Sequence, residues 1–223
     1  MKRIFDPAGK PQIIFTALLA ILTVFIHIRF YKYAFDDAFI HFRVARNLLD
    51  IGAPYYNLGE AVKVSTSSGW IILLAPIIWA TRLFQAQNSL PLIVSLLNSL
   101  FTVLGMLIYT RTIHRIAGKN KVHFLIIPAF QIIYVALLIP ASAGLMETPL
   151  ALLLAGLGIH FVQLDRRIGY VLRGAAAYIR VEIGALILLA GLFVLFQQRD
   201  RTIEAILLTA AGFLPFVIFD LYF

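Results

Sequence analysis

The chain has 223 residues, of which 61% are hydrophobic and only 13% charged, with a mean hydropathy of +0.90 and a formal charge of +8. Repeated apolar runs near twenty residues at that hydropathy exclude a soluble domain and define an all-α polytopic membrane protein. The positive charge is loop bias and not a nucleic-acid signal, because the basic residues stand in short clusters between apolar segments. There is no cysteine, so disulfides, thiolate nucleophiles and cysteine-held zinc are excluded.

A basic start (Lys2, Arg3, Lys10) precedes the apolar run Ile13 to Ile28, which leads into Arg29-Phe30-Tyr31-Lys32-Tyr33 in place of a small-residue cleavage site. That pattern predicts an uncleaved first span, about 12–30, with its N-terminus cytoplasmic. Further spans are predicted over 91–110, 122–140, 149–164, 183–197 and 203–222. The stretch 69–84 is apolar but short, with Pro76 at its centre. If it crossed, Arg111, Arg115, Lys119 and Lys121 would lie outside, against the positive-inside rule. It is therefore expected to lie in the outer leaflet, making 31–90 one large extracytoplasmic loop with juxtamembrane helices. A crossing over 168–182 is needed to close this topology at about seven spans in a single transmembrane domain, 1–223. It is shorter than the ~20 residues a span needs, and Arg166 and Arg173 would have to snorkel.

Asp36 and Asp37 open a predicted amphipathic helix, 37–50, in which Phe39, Ile40, Leu48 and Leu49 face lipid and His41, Arg43 and Arg46 make polar contacts. Helix capping accounts for one aspartate. Two in tandem at a membrane surface also suit proton chemistry or metal binding. Glu147 is the only charged residue between Lys121 and Asp165; it either starts a helix before Pro149 or faces Asp36 across an outer cavity. Arg180-Val181-Glu182, between apolar stretches, is either an interfacial anchor or a cation for a lipid phosphate. Tyr56, Asn57 and Trp70 belong to a polar, turn-rich piece of the same loop, where aromatic platforms and amides suit a sugar as well as they suit an ordinary surface. The five histidines are scattered, and no P-loop, GxGxxG, GxSxG or HExxH occurs.

Four of these segments together carry a resemblance. The run from Asp36 to Leu48 resembles the "DDAYISFRYARNL" opening of GT-C-fold glycosyltransferases, in the arabinofuranosyl- and mannosyltransferase-like branch. Tyr56-Asn57-Leu58-Gly59-Glu60 with Ser65 to Trp70 is similar to that family's "FNPGERVEGYTNFLW", Gly144 to Thr148 to its "SGMET", and Ile179 to Gly184 to its "LTRPEGL". The resemblance covers roughly 30–190, departs from the pattern at Val181 where the family has proline, and lacks the family's C-terminal part.

The resemblance implies a GT-C-like bundle in the bacterial inner membrane with an extracytoplasmic active site. It implies inverting transfer of a sugar from a polyprenyl-phosphate donor to a hydroxyl on a cell-envelope glycan, lipid or protein. Asp36 would be the general base, and Asp37 and Glu147 would orient the acceptor or, with Asp36, ligate Mg²⁺ or Mn²⁺. Arg180, with Arg43 or Arg46, would hold the donor phosphate, and Tyr56, Asn57, Trp70 and Glu182 would contact acceptor or sugar. A truncated, non-catalytic relative that binds polyprenyl phosphate or scaffolds a partner is the alternative. A transporter fits less well, since the acids gather at one face and not near the midplane.

Overall fold

A computed structural model describes residues 10–57, 59–60, 67–117, 123–180, 182 and 202–223, and these are helical with no strand among them. The helices are α1 (Lys10–Phe30), α2 (Asp36–Ile51), α3 (Ser68–Leu83), α4 (Leu90–Ala117), α5 (His123–Ala143), α6 (Thr148–Gln163), α7 (Ile168–Ile179) and α8 (Thr202–Tyr222), with a 3₁₀ turn, Gln87–Ser89, before α4. The protein is an all-α polytopic membrane protein. Four helices, α1, α4, α5 and α8, are long and apolar enough to cross a bilayer, and α3, α6 and α7 are shorter apolar helices. The expected span 183–197 lies outside the described residues.

The helices follow the sequence pattern closely at their starts. α4 departs from it, running on beyond residue 110 through Arg111 and Arg115. The apolar run ends there, but no helix breaker occurs until Gly118, so the backbone continues as a basic extension. α7 is a 12-residue helix, about 18 Å at 1.5 Å per residue, which is short of a bilayer core.

The bundle has two chemically distinct ends. Gln12 near the start of α1 meets His114 near the end of α4 at 3.3 Å, and Arg167 pairs with Glu204 at 2.6 Å. Together with Arg111, Arg115 and Arg166 these groups form a basic end. The starts of α2 and α6 and the ends of α7 and α8 form the opposite, acidic end. Between the two, Gln131 of α5 is fully buried and donates to Thr16 of α1 and Thr110 of α4, both at 3.0 Å. Such interhelical bonds are worth roughly 0.6 kcal/mol each in a bilayer. α7 and α8 run parallel in close approach, because a Cβ on Gly174 or on Gly212 would meet backbone of the other helix at 2.0–2.1 Å.

α2 and α3 pack on each other at the acidic end. Ala38, Phe42 and Ala45 of α2 meet Trp70, Ile71, Leu74 and Ile78 of α3, with Leu90 and Val94 of α4 and Leu145 closing the core. The opposite face of α3 leaves Trp79, Leu83 and the following Phe84 well exposed. A helix buried on one side and apolar on the other suits the membrane interface.

Candidate functional site

The site is built where three separate segments meet Glu147. The α5–α6 loop that carries it is fixed from several sides. Asn98, fully buried on α4, donates to the carbonyls of Ser142 at 3.1 Å and Met146 at 2.9 Å. Phe35 N–H donates to Gly144 O at 3.2 Å, which ties the start of α2 to the same loop. Gly144 is needed there, because a Cβ would lie 2.3 Å from the Phe35 ring.

Glu147 occupies the N-cap position of α6, yet its side chain makes no capping bond. The carboxylate points into the protein, only 4% exposed. Ser67, just before α3, donates to Oε1 at 2.9 Å, and Arg180 Nη1 at the end of α7 donates to the same oxygen at 3.3 Å. His41 of α2 brings Nε2 to 3.5 Å from Oε2. Burial alone would push the Glu147 pKa up. The His41 imidazole, backbone amide and Ser67 hydroxyl outweigh it and hold the carboxyl below its ordinary range.

Arg180 is used almost fully. Nη1 donates to Glu147 and, at 2.7 Å, to Thr148 Oγ1; Nε and Nη2 donate to the two oxygens of Glu182 at 3.3 and 3.1 Å. Of the five guanidinium N–H groups, one on Nη2 is left over. The carboxylates of Glu182, Glu147 and Asp37 all act on its charge, so Asp37 faces this cluster from the first turn of α2.

Capping does not explain the aspartate pair. Phe35 is the N-cap residue of α2 and no side chain caps the helix; Asp36 and Asp37 are its first two residues. They gain the favourable interaction with the helix dipole but make no hydrogen bond among the described residues, and both are exposed.

The other expected site residues are placed as follows. Arg43 stacks on the Tyr56 ring at 4.3 Å and donates to Asn57 Oδ1 at 3.4 Å, while Asn57 donates to Glu60 at 2.9 Å. These side chains fasten the loop after α2 to the helix, with Asn47 donating to the carbonyls of Tyr55 and Tyr56. Arg46 lines a neighbouring groove together with Arg43. Trp70 is fully buried in the α2–α3 core and offers no surface to a sugar. Among the described residues no group of three or more His, Asp and Glu is gathered to hold a metal. Asp36, Asp37 and Glu147 do not make a ready ligand set, because Glu147 is already held by Arg180, Ser67 and His41.

The sequence did not single out Ser67, Thr148 or Asp220. The first two lie inside the loop and outer-turn motifs but look like ordinary polar residues. Asp220, an acid in the last turn of an apolar helix, accepts a hydrogen bond from Ser68 and so brings α8 to the same end. An ionisable residue in such a helix was the available signal.

The fold and site define a helical membrane protein with Asp37, Glu147, Glu182 and Asp220 brought to one end of the bundle. The chain is 31% identical over 130 residues to the terminal beta-(1->2)-arabinofuranosyltransferase of Mycobacterium tuberculosis, a match that takes in 56% of this chain. The chain spans about 20% of that relative's length. No family model and no solved structure matches. The likeness supports a relationship to glycosyltransferases.

Proposed function

We propose that the chain forms the catalytic end of a membrane glycosyltransferase that takes its sugar from a polyprenyl-phosphate donor. The acidic end would then face outward and the basic end the cytoplasm, as the Lys/Arg bias of Arg111 and Arg115 supports. The supporting observation is the convergence of α2, the start of α3, the α5–α6 loop and the end of α7 on the Glu147–Arg180 pair.

In this reading an acceptor hydroxyl lies over the first turn of α2. Asp36 accepts the hydroxyl proton as the oxygen attacks the anomeric carbon from the face opposite the phosphate. The bond from that carbon to the phosphate oxygen breaks, and the lipid phosphate departs with the electron pair, inverting the centre. Asp37 orients the acceptor across from Arg180. The remaining Nη2 N–H of Arg180 is aimed at the departing phosphate, where a fixed donor stabilises developing charge. Glu147 is a positioning residue, since Oε1 accepts from both Ser67 and Arg180 while Oε2 faces His41.

The test uses the full-length protein in nanodiscs, a panel of polyprenyl-phosphate sugars and native membrane extract as acceptor. Wild type releases polyprenyl phosphate from one of the donors. Asp36→Asn lowers that release by about 10²- to 10⁴-fold, the usual contribution of a positioned base, with unchanged melting. Release by the variant close to the wild-type rate would remove Asp36 from the mechanism.

A further inference from the structure

Beside the acidic cluster, α2 forms one wall of a groove to which the proposed transfer steps assign no role. It is a cavity of about 650 Å³ between α2, the 3₁₀ turn and the start of α4, continuing into a second of about 430 Å³ beneath Arg82. The charged lining is Arg43, Arg46 and Arg82 against Asp50 alone, so the groove is net positive. Arg82 is committed to Asp50 through both Nη groups, and Arg43 is occupied by Tyr56 and Asn57. Arg46 is exposed, makes no hydrogen bond among the described residues, and lines both cavities beside Asp50, on whose carboxylate its charge acts. Phe39, Phe42, Leu90 and Pro91 supply the apolar part of the lining, and Phe39 is 57% exposed.

We propose that this groove binds an anionic phospholipid of the surrounding bilayer, its phosphate on Arg46 and its first acyl carbons along Phe39 and Pro91. A guanidinium fork matches phosphate oxygens bidentately, and a cation with its N–H donors unused among the described residues, beside an apolar wall at the end of bilayer-length helices, meets that chemistry from both sides. The groove lies apart from the reacting centre. Arg46 is ten residues beyond Asp36, about 15 Å along the helix at 1.5 Å per residue, whereas reacting atoms must come within about 3–3.5 Å. The lipid is therefore a bound neighbour of α2, independent of whether the chain transfers sugar.

Native mass spectrometry of the full-length protein released from nanodiscs tests the site. The discs contain phosphatidylglycerol and phosphatidylcholine in equal amounts with a trace of polyprenyl monophosphate. Wild type retains phosphatidylglycerol in preference to phosphatidylcholine. Arg46→Gln loses that preference at least tenfold, while Arg46→Lys keeps part of it and Arg167→Gln, at the other end of the bundle, keeps all. Melting of Arg46→Gln in phosphatidylcholine alone stays close to that of wild type, because Arg46 loses no hydrogen bond among the described residues and only an exposed through-space contact with Asp50. Equal retention of phosphatidylglycerol by wild type and Arg46→Gln overturns the site. Retention of polyprenyl monophosphate instead, lost in Arg46→Gln, overturns the phospholipid as its occupant.

Discussion

Charged groups at the two ends of this bundle are treated in opposite ways. At the basic end Arg167 meets Glu204 with side chains 80% and 37% exposed, a surface pair. At the acidic end Glu147 is taken almost wholly out of water and held by residues from three other segments. Burying a carboxylate costs several kcal/mol unless partners compensate it. A chain stabilised only by apolar packing would have no reason to place one there. The difference separates charge that serves solvation and orientation in the bilayer from charge that organises a site.

Removing the centre of the acidic cluster has the largest expected effect on stability. Glu147→Ala leaves Arg180 and His41 without their shared partner and destabilises by about 3 kcal/mol, the lower end for breaking a buried pair, because Arg180 keeps Glu182 and some water. Thermal unfolding in detergent reads this directly, and an unchanged melting temperature would erase the contrast between the ends. Gly144→Val acts on the same loop through sterics, with the Phe35 ring in the way of any Cβ; the expected loss is about 1–3 kcal/mol.

The pH dependence is smaller and has a defined sign. Folding lowers the Glu147 pKa, so its stabilisation is complete above the ordinary value of 4.5 and is lost as pH falls through the lower folded value. Wild type is therefore expected to lose melting temperature on acidification below about 4.5 more steeply than Glu147→Gln, which has no proton to take up there. Parallel curves for the two proteins would show that Glu147 does not titrate differently on folding. The smallest effect belongs to the basic end. Arg167→Gln changes stability by no more than about 1 kcal/mol, as exposed pairs do.

Hydropathy made the helices legible because a bilayer forces each crossing segment to satisfy its backbone internally and show apolar side chains outward. It also made α3 legible as a short apolar helix, which is what its 16 residues form. The aspartate pair and Glu147 stood out as acids without an obvious partner in an apolar chain. Who meets whom was not legible. Ser67 reaches Glu147 across 80 residues, and Arg180 reaches it across 33. No periodicity carries such distances, since they are set by how α2 and α3 fold back over the ends of α6 and α7. Trp70 shows the converse. An aromatic in a polar loop suggests a sugar platform, but it begins the buried face of α3, where Ile71, Leu74 and Ile78 follow at helical spacing.

The central claim is a division of labour in which Asp36 reacts and Glu147 holds the site together. Measuring turnover and melting on the same preparations of wild type, Asp36→Asn and Glu147→Gln tests it most directly. The account predicts that Asp36→Asn loses turnover at least a hundredfold with wild-type melting, whereas Glu147→Gln loses both together. Wild-type turnover in Asp36→Asn, or full stability with lost turnover in Glu147→Gln, would contradict it.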